Sequence, residues 1–181
     1  MKQRFLLFLL VSGPMLSSAQ DPAAILKIRA RFNAVNTMLS KSTPQSYELS
    51  GSTEGGELLI YNLDGKLLRL TATYYGETGK WVEDYYLDDL GFPVFVFTQD
   101  YAYNRPFYYT EAEARSNGDT EWFDPEKTTV AENRYYFEDE QLIRWLDPDN
   151  REVPASHPDY GTRYTEFWEK MYAMVETSYE E

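Results

Sequence analysis

The segment Glu57-Leu58-Leu59-Ile60-Tyr61-Asn62-Leu63-Asp64-Gly65-Lys66-Leu67-Leu68-Arg69-Leu70-Thr71-Ala72-Thr73-Tyr74-Tyr75 decides the fold. Two runs rich in aliphatic and aromatic residues flank Asp64-Gly65, a dipeptide suited to the two central positions of a type I′ hairpin turn. Strands therefore run over 57–63 and 66–75. Outward from them, Gly76-Glu77-Thr78-Gly79 turns the chain into 80–87, and Asp88 to Gly91 leads into 92–99. Aromatic and β-branched content of this density favours strands, so 57–99 reads as a four-stranded antiparallel meander. A later hairpin spans 133–138 and 142–146 across Asp139-Glu140. Period-two alternation is already visible at Tyr47 and Leu49, ahead of a turn-rich link over 51–56.

Helices flank this β region. Asp21-Pro22 is a capping residue followed by proline, a favoured helix opening. Behind it Ile25, Ile28, Phe32, Val35 and Leu39 recur at helical spacing, giving an amphipathic helix over about 22–40. Tyr164, Phe167, Trp168, Met171, Tyr172 and Val175 recur likewise and predict a final helix over about 160–177. Residues 100–130 read as a long loop: Tyr101, Tyr103, Phe107, Tyr108 and Tyr109 surround Arg105-Pro106, and a short helix fits around 110–116. The order of elements is that of an α+β fold, most simply with both helices on one face of the sheet.

The first nineteen residues have another character. Lys2 and Arg4 precede an unbroken apolar run, Phe5 to Val11; Ser12-Gly13-Pro14 breaks it, and Ser17-Ser18-Ala19 offers small residues for cleavage. That is the pattern of a signal peptide, and the run is too short for a membrane anchor, which needs ~20 apolar residues. The expectation is an exported protein, periplasmic or secreted, with residues 20–181 as one domain. Losing 1–19 removes two basic residues and no acid, moving the net charge from −13 to −15. Such an acidic surface repels phosphate backbones, so nucleic acid is not an expected partner.

Composition narrows the chemistry. The chain has no cysteine and one histidine, His157. Thiol nucleophiles and Cys-ligated metals are excluded, and no cofactor or metal is expected. His157 lies between Ser156 and Pro158 without the context of an activated serine and reads as an exposed loop residue. Asp147-Pro148-Asp149-Asn150-Arg151-Glu152 crowds oxygen ligands as calcium loops do, but lacks their glycine and spacing. It reads as a turn closed by an aspartate side chain. Glu83-Asp84 cannot serve as an acid–base pair, because adjacent strand residues point to opposite faces.

The aromatics stand out, at 16 Tyr, 10 Phe and 4 Trp. Tyrosine and tryptophan combine a flat apolar face with a polar tip, the chemistry of sugar stacking and of protein interfaces. If the sheet leaves one side open, Arg69, Tyr75, Trp81, Glu83, Tyr85 and Arg144 form a mixed aromatic and charged surface there. Tyr103 and Arg105 mark the 100–130 loop as a second candidate. The leading expectation is a non-enzymatic binding domain for a protein or glycan outside the cytoplasm. The alternatives are an envelope hydrolase with a carboxylate dyad assembled across strands, and an inhibitor-like module against an extracellular enzyme.

The hairpins also echo one another. Tyr61 to Leu70 aligns with Tyr135 to Leu146, and Tyr85-Tyr86-Leu87-Asp88-Asp89 with Phe92 to Phe97 is a looser copy. An aromatic pair, an acidic turn and an aliphatic-Arg-aromatic return strand recur. This motif resembles the "YYF-x-(Asp/Asn)-G-x-L-I" hairpin of many secreted Bacteroidota proteins and is loosely similar to MORN-type repeats. The resemblance covers 57–99 and 132–146, with Glu140 where the turn glycine is expected. It implies an exported compartment and a sheet, with no activity attached.

Overall fold

A computed structural model describes residues 22–178; the signal peptide expected over 1–19 lies outside the described residues. The described chain is α+β, and its sheet has seven antiparallel strands in strictly sequential order. The elements are α1 (Pro22–Leu39), β1 (Gln45–Leu49), β2 (Gly56–Leu63), β3 (Lys66–Gly76), β4 (Gly79–Leu87) and β5 (Pro93–Ala102). They are followed by α2 (Glu111–Ser116), a 3-10 turn (Pro125–Lys127), β6 (Thr129–Glu138), β7 (Gln141–Leu146) and α3 (Arg163–Thr177). The alternation at Tyr47 and Leu49, ahead of the 51–56 link, is strand β1 and brings the sheet to seven strands.

The two long helices do not share a face. Tyr85 meets Phe167 of α3 edge-on at 5.9 Å, while its neighbour Tyr86 meets Phe32 of α1 at 4.7 Å. Consecutive strand residues point to opposite sides, so the sheet lies between α1 and α3. The reason is visible in the strands, which are apolar on both sides. Leu58, Leu70, Tyr85, Val96, Tyr135 and Phe137 form the α3 core. Leu68, Tyr86, Phe95 and Tyr136 form the α1 core with Ile25, Ile28 and Val35.

The recurring hairpin motif has a physical meaning. Asp64-Gly65 and Asp139-Glu140 make two-residue turns with positive φ at both positions, 51° and 75° in one, 48° and 60° in the other. Beyond each turn, and again after the Asp88–Gly91 turn, the return strand carries one extra residue, at Leu68, Val94 and Ile143. Such a bulge sets two consecutive side chains on one face. Here it turns Leu68, Val94 and Ile143 toward α1 beside Arg69, Phe95 and Arg144.

In consequence, six directly paired residues make one row across the sheet, Tyr61–Arg69–Tyr86–Phe95–Tyr136–Arg144. The Arg69 guanidinium lies 4.9 Å from the Tyr61 ring centre and 5.6 Å from that of Tyr86, and Arg144 lies 5.8 Å from that of Tyr136. Phe95 packs against Tyr86 and Tyr136, and Phe32 of α1 closes the middle of the row. Cation–π contacts of this kind contribute about 0.5–2 kcal/mol each, more as water is excluded.

Candidate functional site

α1 crosses the sheet close to the 64–65, 88–91 and 139–140 turns: Phe32 sits on the row just described, and the Ser42 hydroxyl behind the helix donates to the Asn62 carbonyl at 2.8 Å. Aromatics reach the surface at the opposite end, where β3 turns into β4 and the chain leaves β5 for β6. Gly76 and Gly79 pair across the Glu77-Thr78 turn, which sets Tyr75 opposite Lys80 and Tyr74 opposite Trp81. Gly79 has no alternative, since a Cβ there would stand 2.1 Å from the Tyr101 carbonyl oxygen of β5. A bare hairpin end leaves a shallow trough of about 410 Å³, lined by Tyr74 and Trp81 of one face of the sheet and by Tyr75 and Tyr101 of the other. Ser52, Thr53, Lys80 and Asp100 add polar groups to it. Lys80 rests on the Tyr101 ring at 4.6 Å, and Tyr75 is 39% exposed.

The 103–128 excursion braces this end. The Tyr103 and Phe107 amides donate to the Thr78 and Glu77 carbonyls at 2.8 and 2.9 Å, and the Tyr108 hydroxyl donates to Glu77 at 3.0 Å. The Asn104 side chain clamps the far arm, donating to the Trp122 carbonyl and accepting from the Asp124 amide. The short helix expected around 110–116 is α2. It opens on a capping box in which Thr110 and Glu113 satisfy each other's backbone amides, worth about 1 kcal/mol. Those bonds hold the Glu113 carboxyl below its usual range. So the long loop is a tied structure that presents Phe107, Tyr108 and Trp122 to solvent.

The residues singled out in the sequence divide between this surface and the interior. Tyr75 and Trp81 line the trough. Glu83 and Tyr85 are buried under α3, where the Glu83 carboxylate accepts from the Trp81 indole, the Tyr85 hydroxyl and Lys170, each at 2.7 Å. Burial, then the Glu83 charge, push the Tyr85 phenol well above its ordinary value. Arg69 lies on the other face, paired with Asp84 at 3.2 Å and donating to Thr71. Arg144 stands across the sheet beside Tyr136, 3.7 Å from Glu152. Tyr103 packs edge-on against Phe123, and Arg105 holds Asp119 at 3.1 Å.

The single surface expected for Arg69, Tyr75, Trp81, Glu83, Tyr85 and Arg144 is therefore split by strand register. The tight Glu77-Thr78 turn puts Trp81, Glu83 and Tyr85 on the side of Leu70, Ala72 and Tyr74, away from Arg69 and Tyr75. Reading the registry outward from Gly76–Gly79 finds this pairing. It also sets Tyr74 beside Trp81 on that side. Tyr101, read in the sequence as part of the 100–130 loop, comes to the trough on β5, and Ser52 and Thr53 come from the link between β1 and β2.

Two further expectations are settled by geometry. His157 is half-buried rather than exposed: its ring packs against Trp145 at 4.9 Å, and Nδ1 accepts from the Asp159 amide. In the 147–152 turn, Asp147 accepts from the amides of Asp149 and Arg151, and the Arg151 guanidinium binds Asp147 and Asp149. The Asp147 and Asp149 carboxylates are thus occupied from within the turn. Comparisons of the chain with protein-family models, with curated proteins and with solved structures return no match.

Proposed function

We propose that this chain is an exported, non-enzymatic domain that binds a glycan in the trough at the β3–β4 end of the sheet. One observation carries the reading: four aromatic residues line one shallow depression at the bare Gly76–Gly79 end of the hairpin, Tyr74 and Trp81 from one face of the sheet and Tyr75 and Tyr101 from the other, with Ser52, Thr53, Lys80 and Asp100 beside them. Flat rings cover the apolar faces of pyranoses, and the polar edge groups satisfy their hydroxyls. An open trough also accepts an internal stretch of a chain. The sidedness of the acids supports a binding role over hydrolysis. Glu83 and Asp84 face opposite ways, and each is tied to a cation, Lys170 and Arg69 respectively. Export rests on the pattern of residues 1–19.

The test is a glycan array followed by calorimetry on the bound species, comparing the parent with Tyr75→Ala. Tyr75 is exposed, so its removal leaves the core intact. The expected result is a loss of affinity of about tenfold, the stacking contribution of one ring. Retained affinity in Tyr75→Ala, or capture of proteins with no glycan bound, overturns the reading.

A further inference from the structure

A second cleft, far from the trough, has a composition at odds with the rest of the chain. It measures about 300 Å³ and lies between α1 and the β5–β6 strands. Its walls are Ile28 and Phe32 of α1 and Phe95 and Tyr136 of the sheet; Arg29, Asn33 and Arg134 supply its polar groups. The chain has 30 acidic residues against 17 basic ones, yet no carboxylate lines this cleft. The neighbouring cleft on the other side of α1 is lined by Asp88, Asp89, Glu138 and Asp139.

Arg29 is exposed and makes no ion pair among the described residues. Arg134 is anchored from behind, by Glu132 at 2.6 Å and Asn150 at 2.9 Å, with its guanidinium 5.1 Å from the Phe97 ring centre. Arg144, outside this lining and 3.7 Å from Glu152, lies against the same Tyr136 ring. An aromatic floor between guanidinium groups recognises a molecule with an apolar body and one anionic head. The body packs on the half-buried Phe32 above the largely covered Phe95 and Tyr136 rings, and the head takes the forked donors of Arg29 with the Asn33 amide.

We infer that the α1 cleft is a binding site for a small amphipathic monoanion, an aryl or alkyl carboxylate being the simplest. The site is independent of the glycan trough. Its test is an NMR titration of the whole chain with 4-phenylbutyrate, 4-phenylbutanol and 4-phenylbutylamine, which share a body and differ in head charge. The carboxylate should shift the resonances of Phe32, Phe95 and Tyr136. It should bind about tenfold more tightly than the alcohol and weaken in high salt, while the amine should be the weakest. Arg29→Gln, at an exposed helix position, should abolish the preference for the carboxylate and leave alcohol binding unchanged. Equal affinity for acid and alcohol, an unaltered preference in Arg29→Gln, or no shift at these rings up to ~10 mM ligand overturns the inference.

Discussion

Glu140 occupies a backbone position that its side chain resists. At φ 60° it is the second central residue of the β6–β7 turn, where the β2–β3 turn has Gly65 at φ 75°. A residue with a Cβ is disfavoured in this left-handed region by about 1–2 kcal/mol, and glycine is not. Glu140→Gly should therefore stabilise the protein by about 1 kcal/mol, less the backbone entropy that glycine adds to the unfolded chain. Urea denaturation reads the outcome as a raised midpoint at unchanged slope. A lowered midpoint would mean that the glutamate side chain holds the turn. Gly79 marks the opposite case, where the small residue is imposed by the closeness of β5.

Among the elements, the hairpins were legible and the packing around them was not. Asp64-Gly65 and Asp139-Glu140 announce their turns locally, because turn chemistry acts over four residues. The β6–β7 hairpin kept its geometry even without a glycine. The bulges at Leu68, Val94 and Ile143 escape a simple period-two reading, which places Leu68 with Leu70 and opposite Arg69. The structure groups Leu68 with Arg69 on the α1 side. Apolar residues on both faces of β3 to β6 were the available signal that each face needs its own helix. In the candidate site Tyr75 and Trp81 were found, while Tyr101 depended on β5 lying beside β4, which is tertiary information.

The excursion yields a prediction of its own. Glu113 titrates below its usual range because the Thr110 amide and hydroxyl donate to it. A depressed carboxyl stabilises the fold above its unfolded pKa, and that contribution is lost as pH falls from about 4.5 through the lower folded value. Hydrogen exchange at the amides of Thr110 and Glu113 should quicken over that acid window. Glu113→Gln should flatten the dependence, and an identical acid profile in the variant would show that the capping box is not its source.

At the scale of the whole molecule, the tyrosines set the alkaline limit. Tyr74, Tyr135 and Tyr164 are each pushed up to about 12, in every case first by burial. Nearby acids add to it, Glu83 at Tyr74 and Glu140 at Tyr164. A raised pKa means that the folded state holds protons the unfolded chain has released. The associated stability is complete below pH 10 and disappears as pH rises toward about 12. Phenolate absorbance followed alongside circular dichroism should show these three phenols ionising together with unfolding. Ionisation of all 16 tyrosines near pH 10 with the fold intact would contradict it.

The sequential order of the strands has a bearing on how the chain comes to be folded at all. Every strand after the first pairs with the one made just before it, so no segment must wait for a distant partner before its hydrogen bonds close. Contacts this local favour rapid folding. They also let the sheet grow one strand at a time as the polypeptide emerges, each new strand pairing at the edge opposite β1. α3 follows all seven strands in the chain and lays Phe167, Met171 and Met174 over strands already assembled, so that core can be sealed only once the sheet beneath it exists.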